Sequence, residues 1–267
     1  MDISFLQYSF IQKAFLAGSF IAITCAALGI FLVLRKMSLI SDGLSHVSFG
    51  AIAIGLFFDI YPYYVAVPLV MAASYLILKI TEKAKVYGDA SIGIVSAVGI
   101  ASGVIIASLS KGFNVDLFGY LFGNILSIRT VEVILAVILS LIVLVILYYH
   151  YWDLFSATFD IEYARTTGIK TNKINVILTL LTSLVVVLSV KVVGILLVSA
   201  LMILPAAAAL QIAKGFRSAI FIACAFSLLS VLSGITFSFF LDKPAGATIV
   251  MINALFFALA LLYKKIA

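Results

Sequence analysis

Asp42 and His46 are the residues of this chain whose types and spacing could most plainly do chemistry. They stand four apart in the stretch 41–55, SDGLSHVSFGAIAIG, so on a helix they share one face, one turn apart. A carboxylate and an imidazole so placed form half of a site for Zn²⁺ or Mn²⁺. The remainder of the stretch is small and apolar, with Gly43, Gly50 and Gly55 spaced along it. Burying an Asp in a membrane helix costs about 2.5–3.5 kcal/mol on insertion scales, so it usually faces a bundle interior or a water-filled path and has a partner. Two plainer readings stand beside this one. Asp42 could N-cap the helix that follows the basic run Arg35–Lys36, and His46 could be an ordinary satisfied histidine.

The elements that must position such a pair are set by composition. Of 267 residues, 65% are hydrophobic and only 10% charged, with a mean hydropathy of +1.29. Soluble domains carry about 25% charge, so the chain is a polytopic membrane protein. Cys25 and Cys224 lie inside apolar stretches without CxxC spacing, which points to neither a disulfide frame nor a thiolate metal site. The net charge of +6 belongs to loop lysines and arginines and carries no nucleic-acid signature. The first apolar run is not followed by a small-residue cleavage site and is read as a retained span.

A span needs about 20 apolar residues. Nine candidates fall near 14–34, 40–58, 62–80, 91–110, 131–150, 174–190, 192–212, 218–240 and 245–263. Only Lys191 separates the sixth from the seventh, so eight true spans remain open. Twelve of the seventeen Lys and Arg follow the odd-numbered candidates: Arg35, Lys36, Lys79, Lys83, Lys85, Arg165, Lys170, Lys173, Lys214, Arg217, Lys264 and Lys265. Lys13, Lys111, Arg129, Lys191 and Lys243 are scattered singly over the other side. The bias predicts an external N-terminus and a cytoplasmic C-terminus.

Residues 115–127 are apolar but too short to span, and contain Gly119, Gly123 and Asn124. Such backbone is tolerated at membrane depth only against protein or a water-filled cavity, so a re-entrant or interfacial helix is expected. Residues 153–173 form the one substantial polar loop, DLFSATFDIEYARTTGIKTNK. In it Phe155, Phe159 and Tyr163 recur every four residues, with Asp160, Glu162 and Arg165 on other faces and Gly168 as a stop. The stripe suits either a helix resting on the lipid interface or one offered to a soluble partner. Pro205 should kink the helix carrying VGILLVSALMILPAAAAL, while Gly194, Ser199 and the alanines at 206–209 allow close helix approach.

Together these segments resemble the integral-membrane permease family of bacterial zinc/manganese ABC importers. The resemblance rests on SDGLSHVSFGAIAIG at 41–55, SIGIVSAVGI at 91–100 and DLFGYLFGNIL at 116–126. It continues through FDIEYARTTGI at 159–169, VVGILLVSALMILPAAAAL at 192–210 and DKPAGATIV at 242–250. The family's usual Gly-Asp is Ser41-Asp42 here, and its common proline is missing near residues 48–50. What the resemblance implies is an all-helical permease, a single transmembrane domain over 1–267, in the bacterial plasma membrane. It further implies a homodimer working with a cytoplasmic ABC ATPase and an extracytoplasmic metal-binding lipoprotein. Asp42 and His46 match the family's Asp-x3-His in the translocation path. The segment 159–169 matches the part that contacts the ATPase, so Phe155, Phe159, Asp160, Glu162, Tyr163 and Gly168 are the expected coupling residues.

The expected fold is thus all-α: eight or nine transmembrane helices, a short re-entrant or interfacial helix and a cytoplasmic coupling helix. No GxxxxGK[ST] occurs, so ATP hydrolysis would fall to a separate subunit, and the chain is expected to be no enzyme and to keep no permanent cofactor. The alternative, a stand-alone secondary metal transporter or channel, would favour more intramembrane ionisable groups. An intramembrane metalloenzyme is disfavoured by having only His46 and His150 and no HExxH.

Overall fold

The computed structural model describes residues 7–83, 88–109 and 115–266, and every regular element among them is helical. Lys85 and Lys111 lie outside the described residues. The order is α1 (Ser9–Leu34), α2 (Leu39–Phe57), α3 (Pro62–Lys83), α4 (Gly88–Leu109), α5 (Val115–Phe122) and α6 (Thr130–Tyr149). Then follow α7 (Tyr151–Phe159), α8 (Ile161–Thr166), α9 (Thr171–Val193), α10 (Val198–Ile212), α11 (Phe216–Leu241) and α12 (Ala245–Ile266). A 3₁₀ turn at Ile125–Ser127 joins α5 to α6.

Among the described residues eight helices are long and apolar enough to cross a membrane: α1 to α4, α6, α9, α11 and α12. The seventh candidate, 192–212, shrinks to α10. Its 15 residues extend about 22 Å at 1.5 Å per residue, short of a hydrocarbon core of about 30 Å. The cause is Gly194, which ends α9 with φ +90°, a conformation that L side chains rarely adopt. Gly123, at the end of α5, has φ +74° and packs directly on it: a Cβ on Gly194 would stand 2.4 Å from the Gly123 amide nitrogen. The two breaks stitch each other. Ile195 donates its N–H to Tyr120 O (3.0 Å), Leu196 to Leu121 O (3.3 Å), and Asn124 to Lys191 O (3.1 Å). Backbone groups freed by the breaks are thereby satisfied, as hydrocarbon surroundings require. The short segment expected at 115–127 is therefore held against protein along its second half.

α1, α2 and α9 form the middle of the bundle, with 67–72% of their apolar windows buried, whereas α3 and α4 bury only 22%. α2 crosses α4 through small residues. A Cβ on Gly50 would lie 2.5 Å from Gly99 O, and one on Gly99 would lie 2.7 Å from the Val47 Cα. Close backbone approach of this kind is what glycine provides where apolar burial gives helices no reason to associate.

Arg35, Lys264 and Arg217, from three of the odd-numbered loops, lie at one end of the bundle. Arg35 Nη2 donates to Asn175 Oδ1, joining the end of α1 to the start of α9. Lys264 Nζ donates to Gln211 Oε1 at 3.0 Å, joining the ends of α12 and α10. Phe216 at the start of α11 packs on Phe31 of α1 (5.3 Å between ring centres) and on Phe155 of α7 (5.1 Å). Arg217 lies over the Trp152 ring at 5.2 Å. Lys191 and Arg129, by contrast, belong to the far ends of α9 and α6.

Candidate functional site

Asp42 is the fourth residue of α2, and helix formation there follows from a run of good packing residues after the left-handed Lys36 (φ +56°) turns the chain. It does not cap the helix. Ser38 occupies that position, and no side chain caps this end. The carboxylate instead has two neighbours: Ser199 Oγ donates to Oδ1 at 3.2 Å, and His46 Nε2 lies 3.6 Å from Oδ2. The structure thus brings Asp42 and His46 together and adds Ser199, which the spacing within one motif could not reveal. Ser199 is the second residue of α10, about 18 Å along that helix from Gln211 at the basic end.

One stripe of α2 is open. Leu39 is 52% exposed, the Asp42 side chain 46% and the His46 side chain 24%, after which Phe49 closes the row. Ser41, Leu44, Ser45 and Ser48 are buried on the opposite side. Among the described residues no group of three or more His, Cys, Asp and Glu is gathered anywhere, so this chain alone offers a metal two side-chain ligands here. The other histidine, His150, has its own acid, Asp153, at 3.4 Å across the joint between α6 and α7.

The loop expected to carry one amphipathic stripe is two helices. Asp160 leaves the helical region (φ −149°, ψ 102°) and caps α8, its Oδ1 accepting the Tyr163 N–H at 2.9 Å. The side-chain oxygen competes with helical continuation, which the four-residue repeat did not reveal. Phe155 and Phe159 accordingly sit on α7, and Tyr163 on α8. Phe155 is half-buried against Phe216, whereas Phe159 (60%) and Tyr163 (61%) are exposed. Glu162 pairs with Arg165 at 2.9 Å on the exposed surface. Gly168, at φ +85°, turns the chain towards α9.

At the opposite end a polar cluster escaped the sequence reading. Glu132, buried in the first turn of α6, takes a hydrogen bond from Tyr61 Oη (3.1 Å) and lies 3.7 Å from Lys191 Nζ of α9. Lys191 also lies over the Tyr120 ring at 4.6 Å. Burial, with Glu132 beside it, holds the Tyr61 phenol well above the ordinary tyrosine pKa. The cluster pins α5 and the end of α9 around the glycine junction.

Comparison with known proteins gives a consistent result. The model of the ABC 3 transport family matches residues 7–264. The high-affinity zinc uptake system membrane protein ZnuB of Haemophilus influenzae is 34% identical over 248 residues, covering 93% of this chain and 95% of that protein. The manganese transport system membrane protein MntC of Halalkalibacterium halodurans is 33% identical over 259 residues, covering 97% and 89%. The structure of PsaBC from Streptococcus pneumoniae in complex with Fab superposes with a TM-score of 0.88 at 29% identity, covering 97% of this chain and 93% of that one. With eight candidate spans among its described residues and a carboxylate–imidazole pair on one of them, this chain belongs to the ABC 3 transport family: it is a membrane permease subunit of an ABC transporter and not itself an enzyme.

Proposed function

We propose that the chain forms, as a homodimer and as a single domain, the translocation path for a divalent transition metal, Zn²⁺ or Mn²⁺. A cytoplasmic ATPase drives it and an extracytoplasmic metal-binding lipoprotein delivers the cargo. The observation that carries this reading is the Asp42–His46 pair on the open stripe of α2. Two ligands are too few for a closed zinc site, which takes four. If the stripe faces a twofold axis, two Asp42 and two His46 converge as an N₂O₂ set, fit for tetrahedral Zn²⁺ or, with added waters, Mn²⁺. Two carboxylates brought together repel when the site is empty and so favour entry of a cation. The half-exposed Asp42 leaves the metal a route to dissociate, as transport demands.

The convergence of Arg35, Lys173, Lys264 and Arg217 on one end supports a cytoplasmic basic end, which puts α7, α8 and the C-terminus inside and the N-terminus outside. Phe159 and Tyr163 are then the apolar side chains offered to the ATPase, with Phe155 seating α7 on the bundle. Asp160, Glu162 and Gly168 set the shape of the coupling segment.

The test is ATP-dependent accumulation of ⁶⁵Zn²⁺ and of ⁵⁴Mn²⁺ by proteoliposomes holding the permease, its ATPase and its binding protein. Accumulation of one or both metals is expected. Failure to accumulate either, with the ATPase active, would overturn the reading. Leu39→Cys should form a disulfide between two copies if the stripes face each other across the dimer axis.

A further inference from the structure

An apolar groove of about 620 Å³ runs between α3 and α4, on the opposite side of α2 from Ser199, with α2 as its floor. Val47 and Ile54 of α2, Ala72 and Leu76 of α3, and Val98 and Ser102 of α4 line it. Leu76 is 50% exposed and Val98 64%, so the groove opens away from the bundle. Towards the basic end it runs to Tyr75 and Lys79, with Lys79 Nζ over the Tyr75 ring at 5.4 Å. The same two side chains wall a second hollow of about 340 Å³, completed by Asn172, Lys173, Val176 and Ile177 of α9. Among the described side chains no carboxylate pairs with Lys79 or Lys173.

We propose that groove and hollow together bind one anionic phospholipid, its phosphate held between Lys79 and Lys173 and one acyl chain laid along the groove between α3 and α4. A slot walled by Val, Ile, Leu and Ala within the spans is matched by hydrocarbon, and its volume falls in the range of small-molecule sites. Hydrocarbon alone would not discriminate among lipids. The discrimination comes from the end of the slot, where two lysines that no described carboxylate pairs with face a hollow beside the first turn of α9, the positive end of that helix. Basic pockets between membrane helices select anionic headgroups by this charge. Lys79, near the end of α3 with its ammonium over the Tyr75 ring, follows the pattern of a snorkelling side chain. The Asn172 amide adds a neutral donor to the same hollow.

The experiment is a binding titration on the purified permease–ATPase complex, read by native mass spectrometry, with phosphatidylglycerol and phosphatidylcholine added separately. The intact complex is expected to retain one phosphatidylglycerol per permease chain in preference to phosphatidylcholine. Lys79→Gln/Lys173→Gln should bind phosphatidylglycerol roughly 30-fold more weakly while leaving phosphatidylcholine unchanged. Val98→Trp, which fills the groove, should weaken both lipids. Equal retention of the two lipids by the intact complex, or unchanged phosphatidylglycerol binding by the double lysine variant, would overturn the proposal. So would an efficient disulfide between two copies of Val98→Cys in a complex that retains no lipid, because a second copy would then occupy the groove.

Discussion

Ser199 Oγ donates to Asp42 Oδ1 at 3.2 Å, tying the carboxylate of α2 to the helix that begins after the Gly194 break. The bond fixes one oxygen and leaves Oδ2 towards His46. Asp42→Asn and His46→Ala are each expected to abolish metal uptake while the permease still assembles with its ATPase. Ser199→Ala, which removes an orienting bond and no ligand, should slow uptake by up to roughly tenfold. Initial rates of radiolabelled metal uptake at matched expression measure all three. Near-normal uptake by Asp42→Asn would remove this residue from the path.

Gly194 and Gly168 share a left-handed backbone but not their surroundings. A Cβ at Gly168 meets nothing within 4 Å, whereas one at Gly194 collides with the backbone of Leu121, Phe122 and Gly123. Gly168→Ala should therefore cost only the conformational strain, about 1–2 kcal/mol. Gly194→Ala should lose folded protein altogether, because backbone cannot swing aside as a flexible side chain can. Thermal unfolding in detergent, followed by size-exclusion chromatography, compares the two.

Phe159 and Tyr163 are exposed on separate helices held at a fixed angle by the Asp160 cap. The double replacement Phe159→Ser/Tyr163→Ser should leave the bundle inserted and stable but uncouple it from ATP hydrolysis, abolishing transport. Phe155→Ser should instead loosen α7 from Phe216 and lower stability. Normal transport by the double variant would make the segment an interfacial anchor only.

Topology can be read by thiol labelling. Thr171 is buried, so the probe belongs at the exposed Thr167. Thr167→Cys is expected to resist a membrane-impermeant maleimide in intact cells and to react once the cells are permeabilised. Labelling from outside would invert the assignment.

Breaking the Glu132–Lys191 pair on one side should cost more than removing it whole. Lys191→Met leaves a buried carboxylate with only the Tyr61 hydroxyl and the Arg129 N–H as donors, and should destabilise by about 3–5 kcal/mol. Glu132→Gln/Lys191→Met should recover most of that loss, measured by the same thermal unfolding.

Local spacing made the Asp42–His46 pair and all eight long helices legible in place, to within a few residues at their ends, because both depend on residues within a few turns. What stayed hidden was why α9 stops where it does. Its end depends on Gly194 adopting φ +90° against Gly123, a contact across 71 positions of chain. Ser199 was noticed only as a small residue suited to close packing, since its partner lies 157 positions away. Lys191 looked like a stray external cation because hydropathy carries no record of Glu132 beside it. The break at Asp160 was open to inspection, yet a four-residue aromatic repeat and a helix cap competed there, and the cap won.

The Tyr61–Glu132–Lys191 cluster also bears on how the chain is made. Synthesis runs from the N-terminus, so Tyr61 is present before Glu132 emerges, and Lys191 arrives only after α7 and α8 have been added. For that interval Glu132 has the Tyr61 hydroxyl and the Arg129 N–H as donors but not the Lys191 ammonium, and α6 must wait in the bilayer with its acid held but its ion pair unmade. The arrival of α9 supplies the ammonium and, through its last turn and the break that follows, the backbone that receives α5. One late helix thus closes both the charge and the hairpin, and the chain should pass from a loosely gathered set of spans to the finished bundle at that step.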